Sequence, residues 1–349
     1  MALRDSKSVV ILVVAALLMV ALAVVSIGGA QAYDGPVDAA GNSTSFDSVP
    51  QTIVSSAPSI TETLIAMGYS SKIIGVSDNC DAPEIMEMES QNSITRVGSY
   101  ANPSQETMLS LDADVLFIGS YDQNTDATYN NLRNAEAKVV MLYGGESLSE
   151  IYLNIDIIGQ VMNDFSNAQA VKQNMIQTFN EVQTLAAEAT SKPKAMINLG
   201  FAWGMANVYG AGINTFAHDM LTIANSTNVL SRASGWVEVN WELIMEDDTA
   251  PEVILVMVQD GAIINETIYD EKLQSLKNDE RWGTTPAVMN EKVYFFYGLA
   301  ANVGQRPSPN LADFSKLVLM FTHPELFGDL TLPGQIGDGY KDFIESNWD

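Results

Sequence analysis

Cysteine and histidine are almost absent from this sequence of 349 residues. Cys80 is the only cysteine, which excludes an intrachain disulfide and a zinc site made of several thiolates. His218 and His323 are the only histidines, so a metal site built from a histidine cluster is excluded as well. They leave serine–histidine–aspartate catalysis only two candidate bases, and neither lies near a recognisable nucleophile motif.

The motifs of the common hydrolytic and nucleotide-dependent enzymes are also missing. The sequence contains no G-x-S-x-G, no P-loop and no G-x-G-x-x-G that follows a predicted strand. We therefore expect no enzymatic activity, and we assign no catalytic residue, no metal ligand and no cofactor.

Positively charged residues are also scarce. The chain has 17 lysines and arginines against 43 aspartates and glutamates, which gives a formal net charge of −26 at pH 7. Nucleic acids and anionic membrane surfaces are polyanions and repel such a protein. Neither is expected to be its main partner, although acidity alone does not identify a function.

Residues 1–32 have the pattern of an export signal. Arg4 and Lys7 precede an apolar run at residues 9–29, and Ala30-Gln31-Ala32 has the form of a cleavage site. A run of this length can also span a bilayer. The segment is therefore either a cleaved signal peptide or a retained membrane anchor, and both place the rest of the chain outside the cytoplasm. No cysteine follows the run, so the usual bacterial lipoprotein attachment is absent.

After residue 50, predicted strands and helices alternate. The strands are continuous runs of valine, isoleucine, leucine and phenylalanine, which indicates burial on both faces and hence a parallel sheet with helical crossovers. We predict strands at 52–56, 72–76, 115–118, 138–142, 194–199, 253–258 and 292–297. We predict shorter helices at 59–67, 104–111, 126–135, 215–224, 241–245 and 309–322.

One long amphipathic helix divides this pattern into two halves. Residues 166–190 contain neither glycine nor proline, and their apolar side chains recur at helical spacing. The sequence therefore predicts an α/β protein of two lobes with mainly parallel sheets, bridged by this helix. The N-terminal lobe comprises residues 51–165 and the C-terminal lobe residues 191–349. Residues 33–50 are small, polar and rich in turn formers, which predicts a flexible tether.

Several segments of the chain, in this order, resemble the ABC-importer binding proteins for cobalamin, ferric siderophores and haem. The resemblance extends over roughly residues 50–325 and implies two α/β lobes joined by a rigid helix, with the ligand held in the cleft between them. It is specific for the family and much less so for the ligand. The segments are Ile53–Gly68 (IVSSAPSITETLIAMG), Ile74–Asp78, Asp81–Pro83, Val97–Gly98, Glu106–Ile118 and Arg306–Pro309 (RPSP).

Glu106 and Glu242 match the positions at which the family places one glutamate on each lobe surface to pair with arginines of the membrane subunits. Two carboxylates on one rigid body fix its orientation on a permease of two subunits. Both glutamates also follow an asparagine at a predicted helix start, so complementing the helix dipole is an alternative role.

Six further residues are candidates for the cleft. Tyr100 and Trp236 match aromatic contacts of the cobalamin-binding members, and Arg306 matches a binding arginine that suits an anionic ligand group. Aromatic side chains bury a large area with little loss of rotamer freedom, which suits a macrocycle or a chelate, but they are also common in lobe cores. Some cobalamin-binding members carry an aspartate shortly before the arginine, where this chain has Asn302. The remaining candidates are Tyr121, Trp203 and Tyr297.

We therefore expect a monomeric extracytoplasmic subunit that captures a corrinoid or a ferric complex and delivers it to a permease dimer with its ATPase. We expect it to associate with the membrane by its N-terminal segment or by binding the permease. Two alternatives stay open. One is a metal-ion receptor of related fold, which the scarcity of histidine disfavours. The other is a surface-anchored adhesion protein, which would not need the docking glutamates.

Overall fold

The computed structural model describes residues 32–201, 204–239, 244, 250–259 and 261–348, with the backbone alone at 201 and 204–208. Most of the predicted export segment, residues 1–31, lies outside these ranges. Among the helices that the structure describes, none is long and apolar enough to cross a membrane.

The N-terminal lobe is built on a five-stranded sheet in which every neighbouring pair is parallel, in the order β5-β4-β3-β8-β9. Small antiparallel pairs precede it and interrupt it. The strands of the lobe are β1 Tyr33–Asp34, β2 Ser45–Phe46, β3 Ile53–Ser55, β4 Ile73–Val76, β5 Thr95–Arg96, β6 Gly98–Ser99, β7 Asn102–Pro103, β8 Val115–Gly119 and β9 Val139–Leu142. Its helices are α1 Pro58–Ala66, α2 Pro83–Ser90, α3 Gln105–Ser110, α4 Gln123–Asn134 and α5 Leu148–Val161, with a 3₁₀ turn at Ser70–Lys72.

A long helix, α6 (Phe165–Ala186), follows α5 and leads into the second lobe. Its 22 residues span about 33 Å at the usual rise per residue. At its start Asp164 accepts a hydrogen bond from the Tyr69 hydroxyl (2.9 Å), which ties it to the N-terminal lobe. At its end the Asn225 amide donates to the Ala186 carbonyl (3.3 Å), which ties it to the C-terminal lobe. The helix predicted at 166–190 is therefore present and four residues shorter at its C-terminal end.

The C-terminal lobe contains a seven-stranded sheet in the order β13-β11-β10-β14-β15-β16, with β12 also paired to β10. Its strands are β10 Lys194–Phe201, β11 Gly204–Ala211, β12 Thr227–Asn228, β13 Trp236–Glu238, β14 Val253–Val258, β15 Val293–Phe296 and β16 Gln335–Ile336. Its helices are α7 Phe216–Ile223, α8 Glu266–Asn278, α9 Pro286–Met289, α10 Gly298–Gln305, α11 Leu311–Thr322 and α12 Tyr340–Asn347, with 3₁₀ turns at Trp282–Thr284 and Pro324–Phe327.

The predicted α/β class with mainly parallel sheets is confirmed. Strands β11 and β13 are the exception in the second sheet, because β11 pairs antiparallel with both β10 and β13. The sequence did not predict these two strands. They extend the sheet on one side and bring Trp236, the first residue of β13, to its edge.

The segment predicted as a flexible tether is instead a folded clasp on the N-terminal lobe, so that prediction is wrong. Strands β1 and β2 pair with each other, the Tyr33 hydroxyl donates to the carbonyl of Val161, and Phe46 is buried. Asp38 is 3% exposed and accepts hydrogen bonds from the Tyr129 hydroxyl (2.6 Å) and the Met141 amide (3.1 Å). Partners about 100 residues away thus compensate the burial of its charge.

Candidate functional site

A cleft of about 690 Å³ separates the two lobes. Its walls are the loops that follow the carboxyl ends of the central strands of both sheets, which is where open α/β sheets place ligands. The N-terminal lobe contributes Ala57, Pro58, Ser59, Asp78, Asn79, Asp81, Tyr100, Tyr121, Gly144, Gly145 and Glu146. The C-terminal lobe contributes Leu199, Phe216, Trp236, Val258, Gln259, Gly261, Gly298, Asn302, Gln305, Arg306 and Pro307.

Two tyrosines form the aromatic wall on the N-terminal lobe. Tyr100 lies in the turn between β6 and β7, is 44% exposed, and meets Tyr121 edge-on with ring centroids 5.6 Å apart. Tyr121 follows β8, and its hydroxyl lies 3.1 Å from the Ser59 hydroxyl. A side chain at Gly119 would collide with this ring, since a Cβ there would lie 2.4 Å from it. Burial raises the pKa of Tyr121 to about 12, so its hydroxyl stays protonated at neutral pH.

The opposite wall presents a second aromatic pair. Trp236 packs against Phe216, the first residue of α7, with ring centroids 5.9 Å apart. The Phe216 amide donates to the carbonyl of Glu146 across the cleft (2.7 Å), so this pair is held at a fixed place relative to the N-terminal lobe. The cleft therefore offers aromatic surface from both sides.

Arg306 lies at the floor of the cleft and joins the lobes. Its Nη1 donates to Glu62 Oε1 (2.8 Å) and Asp81 Oδ1 (2.6 Å), and its Nη2 donates to the Asn79 carbonyl (3.1 Å). Glu62, on α1, also accepts from the Ser308 hydroxyl (2.6 Å) and the Asn310 amide (3.2 Å). The nearby carboxylates of Glu62 and Asp81 raise the pKa of Arg306 in spite of its burial. We call this set of residues the interlobe cluster.

The cleft is acidic. Its described lining includes three carboxylates, Asp78, Asp81 and Glu146, and one cation, Arg306, which the interlobe cluster already pairs with two carboxylates. The internal residues outside the described ranges, 202–203, 240–243, 245–249 and 260, include no lysine or arginine. An anionic ligand therefore finds no unpaired cation on the described walls.

Four of the six cleft candidates from the sequence lie in this wall: Tyr100, Tyr121, Trp236 and Arg306. Tyr297 does not line the cleft; its ring lies against Gly337, and its amide donates to the Ile336 carbonyl (2.9 Å). Trp203 lies outside the described residues, and so does Glu242. Glu106 is exposed in the first turn of α3, behind the N-cap Ser104.

Sequence reasoning missed several wall residues, chiefly Asp81 as a partner of Arg306, Glu146 and Phe216. It named Asn302 only as a departure from the aspartate of some relatives, not as a partner of Asp81. The position of Glu146 could have been predicted. It follows Gly144 and Gly145 in the loop after the buried strand β9, where parallel sheets place ligand-binding loops. Phe216 lies on a helix with an ordinary amphipathic pattern, and nothing local marks it.

The family profile described as "Periplasmic binding protein" matches residues 53–297. An uncharacterized ABC transporter substrate-binding lipoprotein of Bacillus subtilis is 23% identical over 83% of this chain and 85% of its own length. A cobalamin-binding protein of Halobacterium salinarum is 24% identical over 63% of this chain, which spans 58% of that relative.

Solved structures agree on the fold. A periplasmic heme binding protein of Pseudomonas aeruginosa superposes with a TM-score of 0.63 at 20% identity, covering 79% of this chain and 93% of that one.

Proposed function

This chain belongs to the periplasmic binding protein family, and from that premise we propose that it is the substrate-binding subunit of an ABC importer. It captures a bulky corrinoid in the interlobe cleft, outside the cytoplasm, and delivers it to a permease dimer with its ATPase. The observation that carries this proposal is the cleft of about 690 Å³ with aromatic pairs on both walls. The resemblance of the sequence motifs and the names of the relatives support it.

The shape of the cleft suits a large, flat ligand. The pairs Tyr100–Tyr121 and Trp236–Phe216 belong to different lobes, so a macrocycle between them buries apolar area on both of its sides. Its volume lies within the range of pockets that enclose small molecules of drug size. We expect a corrinoid to enter this site with part of its bulk outside the cleft.

The charge of the cleft favours a ligand without net negative charge. Asp78, Asp81 and Glu146 repel the carboxylates of haem and the charge of ferric catecholates, and Arg306 is already paired. A corrinoid presents neutral amide groups, whose N–H donors match the carboxylates and the amide side chains of Gln259 and Gln305. The Halobacterium relative, named as cobalamin-binding, points to the same ligand class.

The test is a titration of the purified protein with cyanocobalamin, a ferric hydroxamate, a ferric catecholate and haem. We expect tight binding of cyanocobalamin. Trp236→Ala should weaken it by at least about thirtyfold, because an aromatic anchor at the centre of a binding site contributes about 2 kcal/mol or more. Phe165→Ala is the control, since Phe165 is a large aromatic residue that lies exposed outside the cleft. Tight binding of none of the four, or binding indifferent to Trp236, contradicts the proposal.

A further inference from the structure

Asp81 and Arg306 form an ion pair that crosses the cleft floor from one lobe to the other. Asp81 Oδ1 accepts from Arg306 Nη1 (2.6 Å), and Asp81 Oδ2 accepts from the Asn302 amide (2.8 Å). Both oxygens of the carboxylate are thus held by groups of the C-terminal lobe. These two bonds fix the orientation of the Asp81 carboxylate beside the guanidinium of Arg306.

The pair is not needed to neutralise Arg306. Glu62, whose side chain is 8% exposed, already provides one negative charge for the guanidinium, and Ser308 and Asn310 satisfy its second oxygen. Asp81 adds a second carboxylate, so the three charged groups together carry a net charge of −1. The side chain of Asp81 is 47% exposed, against 15% for Arg306. Asp81 is therefore the partner on the solvent side, between the guanidinium and the cleft.

We propose that Asp81 is a specificity-determining residue that occupies Arg306 and thereby excludes net anionic ligands from the cleft. This inference rests on the proposed function, because it concerns the choice of ligand at that site. An anionic group that approaches Arg306 from the cleft must either displace Asp81 or lie beside its carboxylate, and in both cases two like charges come close together. Specificity of this kind comes from a repulsive element against the wrong ligand. A net-neutral ligand meets no such obstacle.

The experiment compares two probes of nearly the same shape, cyanocobalamin and its monocarboxylic acid, in which one side-chain amide has been hydrolysed. For the wild type we expect the acid to bind much more weakly. Asp81→Asn keeps the shape of the side chain and its hydrogen bond to Asn302 but removes the charge that pairs with the guanidinium of Arg306. It should reduce the ratio of the two binding affinities by about tenfold. Asp78→Asn removes the same charge from the cleft wall but leaves the partners of Arg306 in place. It therefore measures the general effect of charge and should reduce the ratio of the affinities far less.

The double variant D81N/R306Q shows whether the improved binding of the acid depends on the guanidinium of Arg306. If it does, the improved binding of the acid disappears in the double variant. An unchanged ratio of the two affinities in Asp81→Asn, or an equal change in Asp78→Asn, overturns the proposal.

A second measurement needs no ligand and so separates this inference from the proposed function. Phenylglyoxal modifies accessible arginine side chains, and peptide mass spectrometry reports the extent at Arg306. We expect slow modification in the wild type and in Asp78→Ala, and clearly faster modification in Asp81→Ala, which removes the side chain as well as its charge. If neither corrinoid binds any variant, the proposed function fails while this measurement still decides whether Asp81 covers Arg306. Equal rates in all three proteins would show that it does not.

Discussion

At the scale of single residues, Glu62 holds the two lobes together. Its carboxylate is nearly buried and receives hydrogen bonds from three residues of the other lobe, Arg306, Ser308 and Asn310. A buried charge is tolerated only when it is paired and fully hydrogen-bonded. Every partner of Glu62 comes from a segment about 245 residues further along the chain, so this carboxylate is satisfied only in the folded arrangement of both lobes.

Glu62→Gln should therefore lower the free energy of unfolding by about 3 kcal/mol, the lower end of the cost of breaking a buried ion pair, because Arg306 keeps Asp81. Chemical denaturation measures the change. Glu188→Gln, at an exposed site beyond the end of α6, is the control and should change stability by less than about 0.5 kcal/mol. A loss as small at Glu62 as at Glu188 would mean that the interlobe cluster adds little stability.

Gly145 is the second residue on which the joint between the lobes depends. Its φ of +79° lies in the left-handed region, and a Cβ there would lie 2.5 Å from Pro307 of the other lobe. Gly41 has almost the same φ, +80°, with nothing within 4 Å of a built Cβ. Alanine substitutions at the two glycines thus separate the energetic cost of the backbone conformation from the cost of the contact with Pro307.

Gly41→Ala should destabilise the protein by about 1 kcal/mol, since only the backbone conformation is penalised. Gly145→Ala should cost at least about 1 kcal/mol more, because the methyl group also forces the lobes apart at Pro307. Thermal unfolding of the two variants side by side measures the difference. Equal shifts for both would mean that the approach of Gly145 to Pro307 is loose.

At the scale of helices and strands, the sequence predicted the buried parallel strands well. Strands β8 and β14 consist almost entirely of large apolar residues, and such runs have few alternatives. Strand β11 (GMANVYGA) has two glycines and no such run, and its pairing comes from neighbours in the sheet. The clasp was missed for a related reason: its polar residues look solvated until the partners of Asp38 are known.

The same limit applies to the cleft. Arg306 was found because it lies in a recognisable motif, but its two carboxylate partners are more than 220 residues away in sequence. No periodicity or spacing relates such positions. The presence of an aromatic residue was also not enough to predict a cleft position. Tyr297 is a tyrosine like Tyr121, and yet its ring packs against Gly337 and not in the cleft.

Helix α6 should keep the movement of the lobes small. Its first turn is bonded to the N-terminal lobe through Tyr69 and Met67, and its end to the C-terminal lobe through Asn225. A continuous helix bends far less than paired loops do. We therefore expect solution scattering to give nearly the same radius of gyration before and after addition of cyanocobalamin. A large closure would show that the bridge is a hinge.

At the scale of the whole molecule, Glu106 and Glu242 are proposed to dock the protein on its permease. Glu106 is exposed at the start of α3. Replacing both glutamates with alanine should leave ligand affinity nearly unchanged and weaken docking, measured as stimulation of the importer's ATPase by the loaded protein. Glu84, exposed in the first turn of α2, offers a matched helix-start control. Lost ligand binding with docking intact would reverse the assignment.

The clasp has a consequence for an anchored form of the protein. The folded body begins at Tyr33, whose hydroxyl is bound to Val161 at the end of α5. If residues 9–29 stay in the bilayer, Tyr33 lies within about 10 Å of the membrane surface, because three residues can span no more than that. Such a form would be confined to a thin layer at the membrane surface, which would raise its local concentration there without any new contact.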